Sequence, residues 1–158
     1  MSKESRRLAG ILLIIFPTVI YGGVTILKLL TGDPRYAQNH LRQDLWRTGH
    51  AHAGVLLVLS LVALRYVDEA DLSEPSKWLV RHFIPLAAIF LPAAFFLSVL
   101  SPDATAPNSF IYLAYLGAGV LAIGLVFAGS RAGAKVKGNL TGSKPRGEGT
   151  SMRKQSIR

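Results

Sequence analysis

The chain has 158 residues, of which 50% are hydrophobic and 17% charged, with a mean hydropathy of +0.34, no cysteine and a formal net charge of +9. The apolar fraction excludes a disordered chain, and the lack of cysteine excludes a disulfide scaffold, thiolate metal sites and thiol catalysis. An apolar yet cationic chain is either a nucleic-acid binder or a membrane protein with basic ends, and the placement of the apolar residues decides between them.

Those residues fall into four blocks, 8–30, 48–67, 79–100 and 109–129. A bilayer core about 30 Å thick needs roughly 20 mostly apolar residues at 1.5 Å rise each, and all four blocks meet that length. None has the polar stripe every 3.6 residues that a helix of a soluble bundle would carry. The fold expected is all-α, an integral membrane four-helix bundle over residues 1–130. The first block carries only Lys28 as a charge and follows a basic start with Lys3, Arg6 and Arg7. It is longer than a cleavable signal sequence and lacks a small-x-small cleavage pattern, so it is expected to stay as an anchor.

The second block opens on Gly49, His50 and His52, after a connection, 31–47, that includes His40 as a solvated loop residue. The third carries Arg81 and His82 near its start. Pro17 in the first block and Pro85 and Pro92 in the third are expected to kink their helices. The fourth has Ala114, Ala118 and Ala122 at four-residue spacing with Gly117 and Gly124 nearby, and Gly49 and Ala53 repeat the spacing in the second. Small residues so spaced let helices approach closely, within one chain or between copies.

Lys and Arg set the orientation. Fourteen of the 18 lie in the start, the connection between the second and third blocks and the last 28 residues, and four lie on the opposite side. The positive-inside rule puts both termini in the cytoplasm and the chain in a cell membrane, most simply a bacterial inner membrane. Trp46, Tyr112 and Tyr115 would mark the outer interface, and Trp78 and Tyr66 the inner one. Residues 131–158 hold eight cations against Glu148, with five glycines and no apolar face. They read as a disordered polybasic tail that fixes orientation or meets anionic headgroups, and without interleaved aromatics they are not expected to bind nucleic acid.

The four apolar blocks lack Asp and Glu, which argues against a carboxylate relay and against a Ser-His-Asp hydrolase. The histidines are left as ligands. His50 and His52 stand about 200° apart on a helix and cannot bind one ion together. His50 shares its face with Trp46, Arg47 and Gly54, an arrangement suited to haem b: an axial imidazole, a small residue that makes room for the macrocycle, and an arginine for a propionate. His52 faces away and is either a ligand or a hydrogen-bond donor to a neighbouring helix. A histidine near the boundary can also reach interfacial water, so a merely structural role for both stays open.

The order of four spans, Trp46-x-x-x-His50, and Phe95-Phe96-Leu97-Ser98-x-x-Ser101-Pro102 at the end of the third resemble the small membrane isomerases that include styrene oxide isomerase and hydroxylaminobenzene mutase. The resemblance implies a trimer with haem b at the subunit contacts, ligated by the histidine matching His50, whose ferric iron acts as a Lewis acid on an epoxide oxygen. The family pattern has asparagine where this chain has Leu56, tyrosine where it has Phe95, and an acid near Ala87. Those departures remove the groups that would position the substrate oxygen. Three functions follow as expectations: a haem protein for sensing, electron transfer or accessory association with a redox complex; a haem-dependent isomerase of small epoxides or N-hydroxy arenes; and a cofactor-free structural or assembly protein.

Overall fold

The computed structural model describes residues 1–129, which are helical almost throughout, and the polybasic segment 131–158 lies outside them. Four helices are long and apolar enough to cross a membrane: α1 (Lys3–Gly32), α3 (His40–Val67), α4 (Glu74–Ser98) and α5 (Tyr112–Gly129) with the 3-10 turn Ser109–Ile111 that leads into it. A fifth helix, α2 (Pro34–Gln38), is short.

Every span but the fourth outruns its apolar block at one end or both, and caps explain where helices start. The Ser2 hydroxyl accepts from Ser5 N–H at the head of α1, and Asp33 receives Arg35 N–H at 2.9 Å to start α2, with Pro34 in its first turn. Asn39 accepts from Arg42 N–H and thereby starts α3 at His40, eight residues before the apolar block. His40 is therefore the first helical residue of α3 and not a loop residue, although it is exposed. The Asn39 amide also donates to Pro102 O and Ala104 O, tying this end of α3 to the connection after α4. Pro17, Pro85 and Pro92 lie inside helices that continue through them.

The helices stand in a row in which α1 packs on α3, α3 on α4 and α4 on α5, with no comparable packing between α1 and α5. Leu12, Leu57 and Leu64 fill the α1–α3 contact, and Ala63, Val67, Val80 and Ile84 the α3–α4 contact. On α5 the buried residues are Gly117 and Gly124, whereas Ala118 and Ala122 of the alanine stripe are exposed. The outward faces are apolar, with Ile14 79% and Tyr115 75% exposed. Such a surface is unfavourable in water and suits hydrocarbon, while the backbone is satisfied inside the helices, as a multi-pass membrane protein requires. Thr18, Thr25, Ser60 and Ser98 return their hydroxyls to carbonyls of the preceding turn.

Arg81, expected among the cations that mark the cytoplasmic side, is instead buried. It donates to Asp68 Oδ1 at 2.9 Å, to Ser5 Oγ at 3.1 Å and to Glu4 at 3.2 Å. Asp68 also receives the Ser2 N–H at 2.6 Å and the Ser5 hydroxyl at 3.0 Å. Burial alone would raise the Asp68 carboxyl, but the bonds from Arg81, Ser2 and Ser5 outweigh it and bring it from 3.8 to about 2. This network locks the start of α1 to the α3–α4 turn.

Candidate functional site

His50 lies in the third turn of α3, on the side that meets α1, where α1 has the pair Gly22-Gly23. A side-chain carbon on Gly23 would stand 2.9 Å from His50 Nε2, 3.1 Å from Cε1 and 3.8 Å from Cδ2, and one on Gly22 3.7 Å from Nδ1. A carbon in line with the Nε2 lone pair would be clearly farther from Cε1 than from Nε2. The near-equality of 2.9 and 3.1 Å therefore puts Gly23 beside the Nε2–Cε1 bond and out of line with the Nε2 lone pair. Neither ring nitrogen has a hydrogen-bond partner among the described residues.

From His50 a groove of about 650 Å³ runs along the α1–α3 contact, between Phe16, Val19 and Ile20 on one side and Gly54, Val55 and Val58 on the other. That volume falls in the range of small-molecule sites, about 300–1,000 Å³. Ile20, Val55 and Val58 are exposed, so the groove opens sideways at mid-span. Gly54 widens it: a side-chain carbon there would meet only Val19, at 3.9 Å. His50 supplies the only hydrogen-bonding side chain among the lining residues.

The other predicted site residues are placed differently. Arg47 is exposed, donates to Gln43 Oε1 at 2.7 Å, and is not among the residues that line the groove. Trp46 is not among the residues lining the groove and packs on Tyr36 at 5.6 Å and edge-on to Phe96 at 5.8 Å. His52 Nδ1–H donates to Thr48 O at 2.8 Å within its own helix, and its ring rests 5.2 Å from Phe95 on the α4 side. Gly49 makes that α3–α4 approach possible, since a side-chain carbon there would be 3.1 Å from Phe96. The structure thus brings His50 and Gly54 to one groove and sends Trp46 and His52 to the opposite contact.

Among the described residues no three His, Asp or Glu gather as a metal-ligand set. A bare transition ion needs about three or four protein ligands, whereas haem brings four nitrogens of its own and needs one imidazole. A single free imidazole on an apolar groove therefore fits haem and does not fit a bare ion.

A second cluster, at the end of the spans that carries α2, escaped the sequence reading. Tyr36 is 0% and Arg42 6% exposed. The Arg42 guanidinium lies 4.9 Å over the Trp46 ring and 5.6 Å over the Tyr36 ring, and its Nε–H donates to Val99 O at 3.2 Å. Gln43 donates to Tyr36 O and Ala37 O. Tyr36 Oη and Trp46 Nε1 are buried without a partner. Burial raises the Tyr36 hydroxyl pKa, with Arg47 and then Arg42 opposing and Asp44 adding to it, so the hydroxyl keeps its proton and remains a donor. No protein family matches the chain, and no curated protein or solved structure is similar enough to it to count as a match.

Proposed function

We propose that the chain is a multi-pass protein of a bacterial inner membrane that holds haem b through His50 and uses it for electron transfer or ligand sensing. One observation carries this reading: an unpaired imidazole, packed against Gly22-Gly23, heads an apolar groove large enough for a small-molecule group. A polar side chain without a partner is costly in a span, and function is its usual reason. Gly54 keeps the groove wide, and Arg47, one turn before His50, would offer a propionate the donors that Gln43 leaves free. Haem held by His50 would supply a redox-active iron able to carry an electron or bind a small ligand. Trp46 has no part in this reading, and His52 is a helix-bonded packing residue.

The groove has no acid, hydroxyl or amide to hold a substrate oxygen, which favours a carrier or sensor over the isomerase. Protein purified in detergent after expression with ample haem is expected to show a Soret band that His50→Ala abolishes and His52→Ala retains. Gly23→Val is expected to weaken the band by displacing the ring from its seat. Colourless wild-type protein would overturn the reading. Conversion of styrene oxide to phenylacetaldehyde by the haem-loaded protein would replace it with the isomerase.

Both termini are proposed to be cytoplasmic, with the cations of 131–158 held near anionic headgroups. A C-terminal reporter is expected to be active only in its cytoplasmic form, and periplasmic activity would reverse the topology. The exposed apolar faces of α1 and α5 support self-association, for which the resemblance suggests three copies. Native mass spectrometry of the detergent complex reads that number directly.

A further inference from the structure

The cluster of Tyr36, Arg42, Trp46 and Arg47 has donors in excess, and the carboxylate close enough to act on Tyr36, Asp44, is exposed and forms no ion pair with either arginine. A guanidinium has five N–H donors, and a buried one is ordinarily matched by a carboxylate. Arg42 uses one donor on Val99 O and otherwise lies between two aromatic rings. No carboxylate pairs with Arg42 or Arg47 among the described residues. Tyr36 Oη and Trp46 Nε1 add two buried groups that can donate and do not. The acceptors at hand are already taken: Gln43 Oε1 by Arg47, the carbonyls of Tyr36 and Ala37 by Gln43, and that of Val99 by Arg42. What would satisfy all four side chains is one group with a negative charge and several acceptor oxygens.

Depth names the group. The apolar block 48–67 is about as long as the hydrocarbon is thick, so Trp46, about half a turn beyond it, stands at the hydrocarbon boundary and Arg42, more than one turn beyond, at the level of lipid phosphates. Arg47 is exposed, bonded to Gln43, and near enough to Tyr36 to act on its hydroxyl. We infer that Arg42, Arg47, Tyr36 Oη and Trp46 Nε1 form a phosphate-binding site at the α2 end of the spans, taking the phosphate of a phospholipid or a free phosphate ion. The inference does not depend on haem.

The site can be tested on the full chain carrying Trp78→Phe, which leaves Trp46 as the sole tryptophan, in a maltoside detergent that contains no phosphate. The Trp46 indole N–H resonance is followed as phosphatidylglycerol or inorganic phosphate is added, with sodium chloride at matched ionic strength as the control. A saturable downfield shift with phosphatidylglycerol alone identifies a lipid site, and one with inorganic phosphate a soluble-anion site; both support the inference. Tyr36→Phe is expected to weaken the response about tenfold, the loss of one charge-assisted hydrogen bond. Without phosphate the same variant is expected to be as stable as the parent or more so, because it deletes an unpaired buried hydroxyl. No shift with either phosphate compound, the same shift with chloride, or unchanged affinity in Tyr36→Phe would overturn the site. Arg42→Gln, if it folds, is expected to abolish the response.

Discussion

Asp68→Ala is expected to destabilise the folded chain by about 3 kcal/mol, the lower end of the range for removing one partner of a buried ion pair. The lower end applies because Glu4, which is half-exposed, still reaches Arg81 at 3.2 Å after the change. Arg81→Met is expected to cost at least as much, since it leaves the Asp68 carboxylate buried beside Ser2 and Ser5 with no cation. The pair Asp68→Leu with Arg81→Met should recover most of the loss, because the cost lies in stranding a charge and not in lacking the bridge. Unfolding in mixed detergents followed by circular dichroism measures all three. A loss below about 1 kcal/mol in both single variants, the value of a solvated pair, would mean that the network is not buried in the working protein.

The same network sets an acid limit. The Asp68 carboxyl is depressed from 3.8 to about 2, so it contributes stability above pH 4 that is lost as pH falls through 2. The shift corresponds to roughly 2 kcal/mol. Asp68→Asn is expected to remove that part of the pH dependence, and an equally steep acid loss in the variant would assign it to other carboxylates.

Gly117→Leu and Gly124→Leu are expected to separate α5 from α4. A single added carbon at Gly117 would already lie 2.9 Å from Leu91 Cγ and 3.2 Å from the Leu91 backbone nitrogen, and one at Gly124 2.9 Å from Ile84 Cγ1. The Leu91 and Ile84 side chains can swing aside, but the backbone nitrogen cannot, so Gly117 is the stricter position. Overpacking of this kind costs about 1–3 kcal/mol for alanine and more for leucine, which α5 cannot recover because its remaining faces are exposed. Gly119→Ala is the contrast: nothing lies within 4 Å, and alanine favours a helix over glycine by up to about 1 kcal/mol. If Gly117→Ala and Gly119→Ala have the same effect on unfolding, the α4–α5 contact is not the one described.

His50 could be singled out from residue type alone, because an imidazole in an apolar block is rare and expensive wherever it points. Its seat could not. Gly22-Gly23 lies 27 residues or more away in the sequence and shows no sign of a partner until α1 and α3 are side by side. Trp46 and Arg47 were grouped with His50 by helical spacing, which is blind to the fact that α2 and the end of α4 draw Trp46 to Tyr36 and Phe96. Arg42 counts in the sequence only as one of the four cations of the side opposite the termini, and Tyr36 as nothing, because a tyrosine and an arginine in a polar connection look solvated until the folding of α2 onto α3 buries them.

The sequence by itself determined that the chain has four spans, because hydropathy adds up along a helix and needs no neighbour. Caps are local too, their hydrogen bonds closing within three residues, but hydropathy does not register them: it starts the second span at 48, whereas Asn39 starts the helix at His40. Which face each span turns inward was decided only by the tertiary structure. A helix apolar all round, as α5 is, has no polar stripe to exclude a face, so packing falls to steric fits such as glycine against Leu91 and Ile84. The same holds for the charged groups: Arg81 and Ser5 are 76 residues apart, and the bond between them exists only because three helix ends converge. That convergence buries a cation that hydropathy and charge counting register only as a marker of orientation.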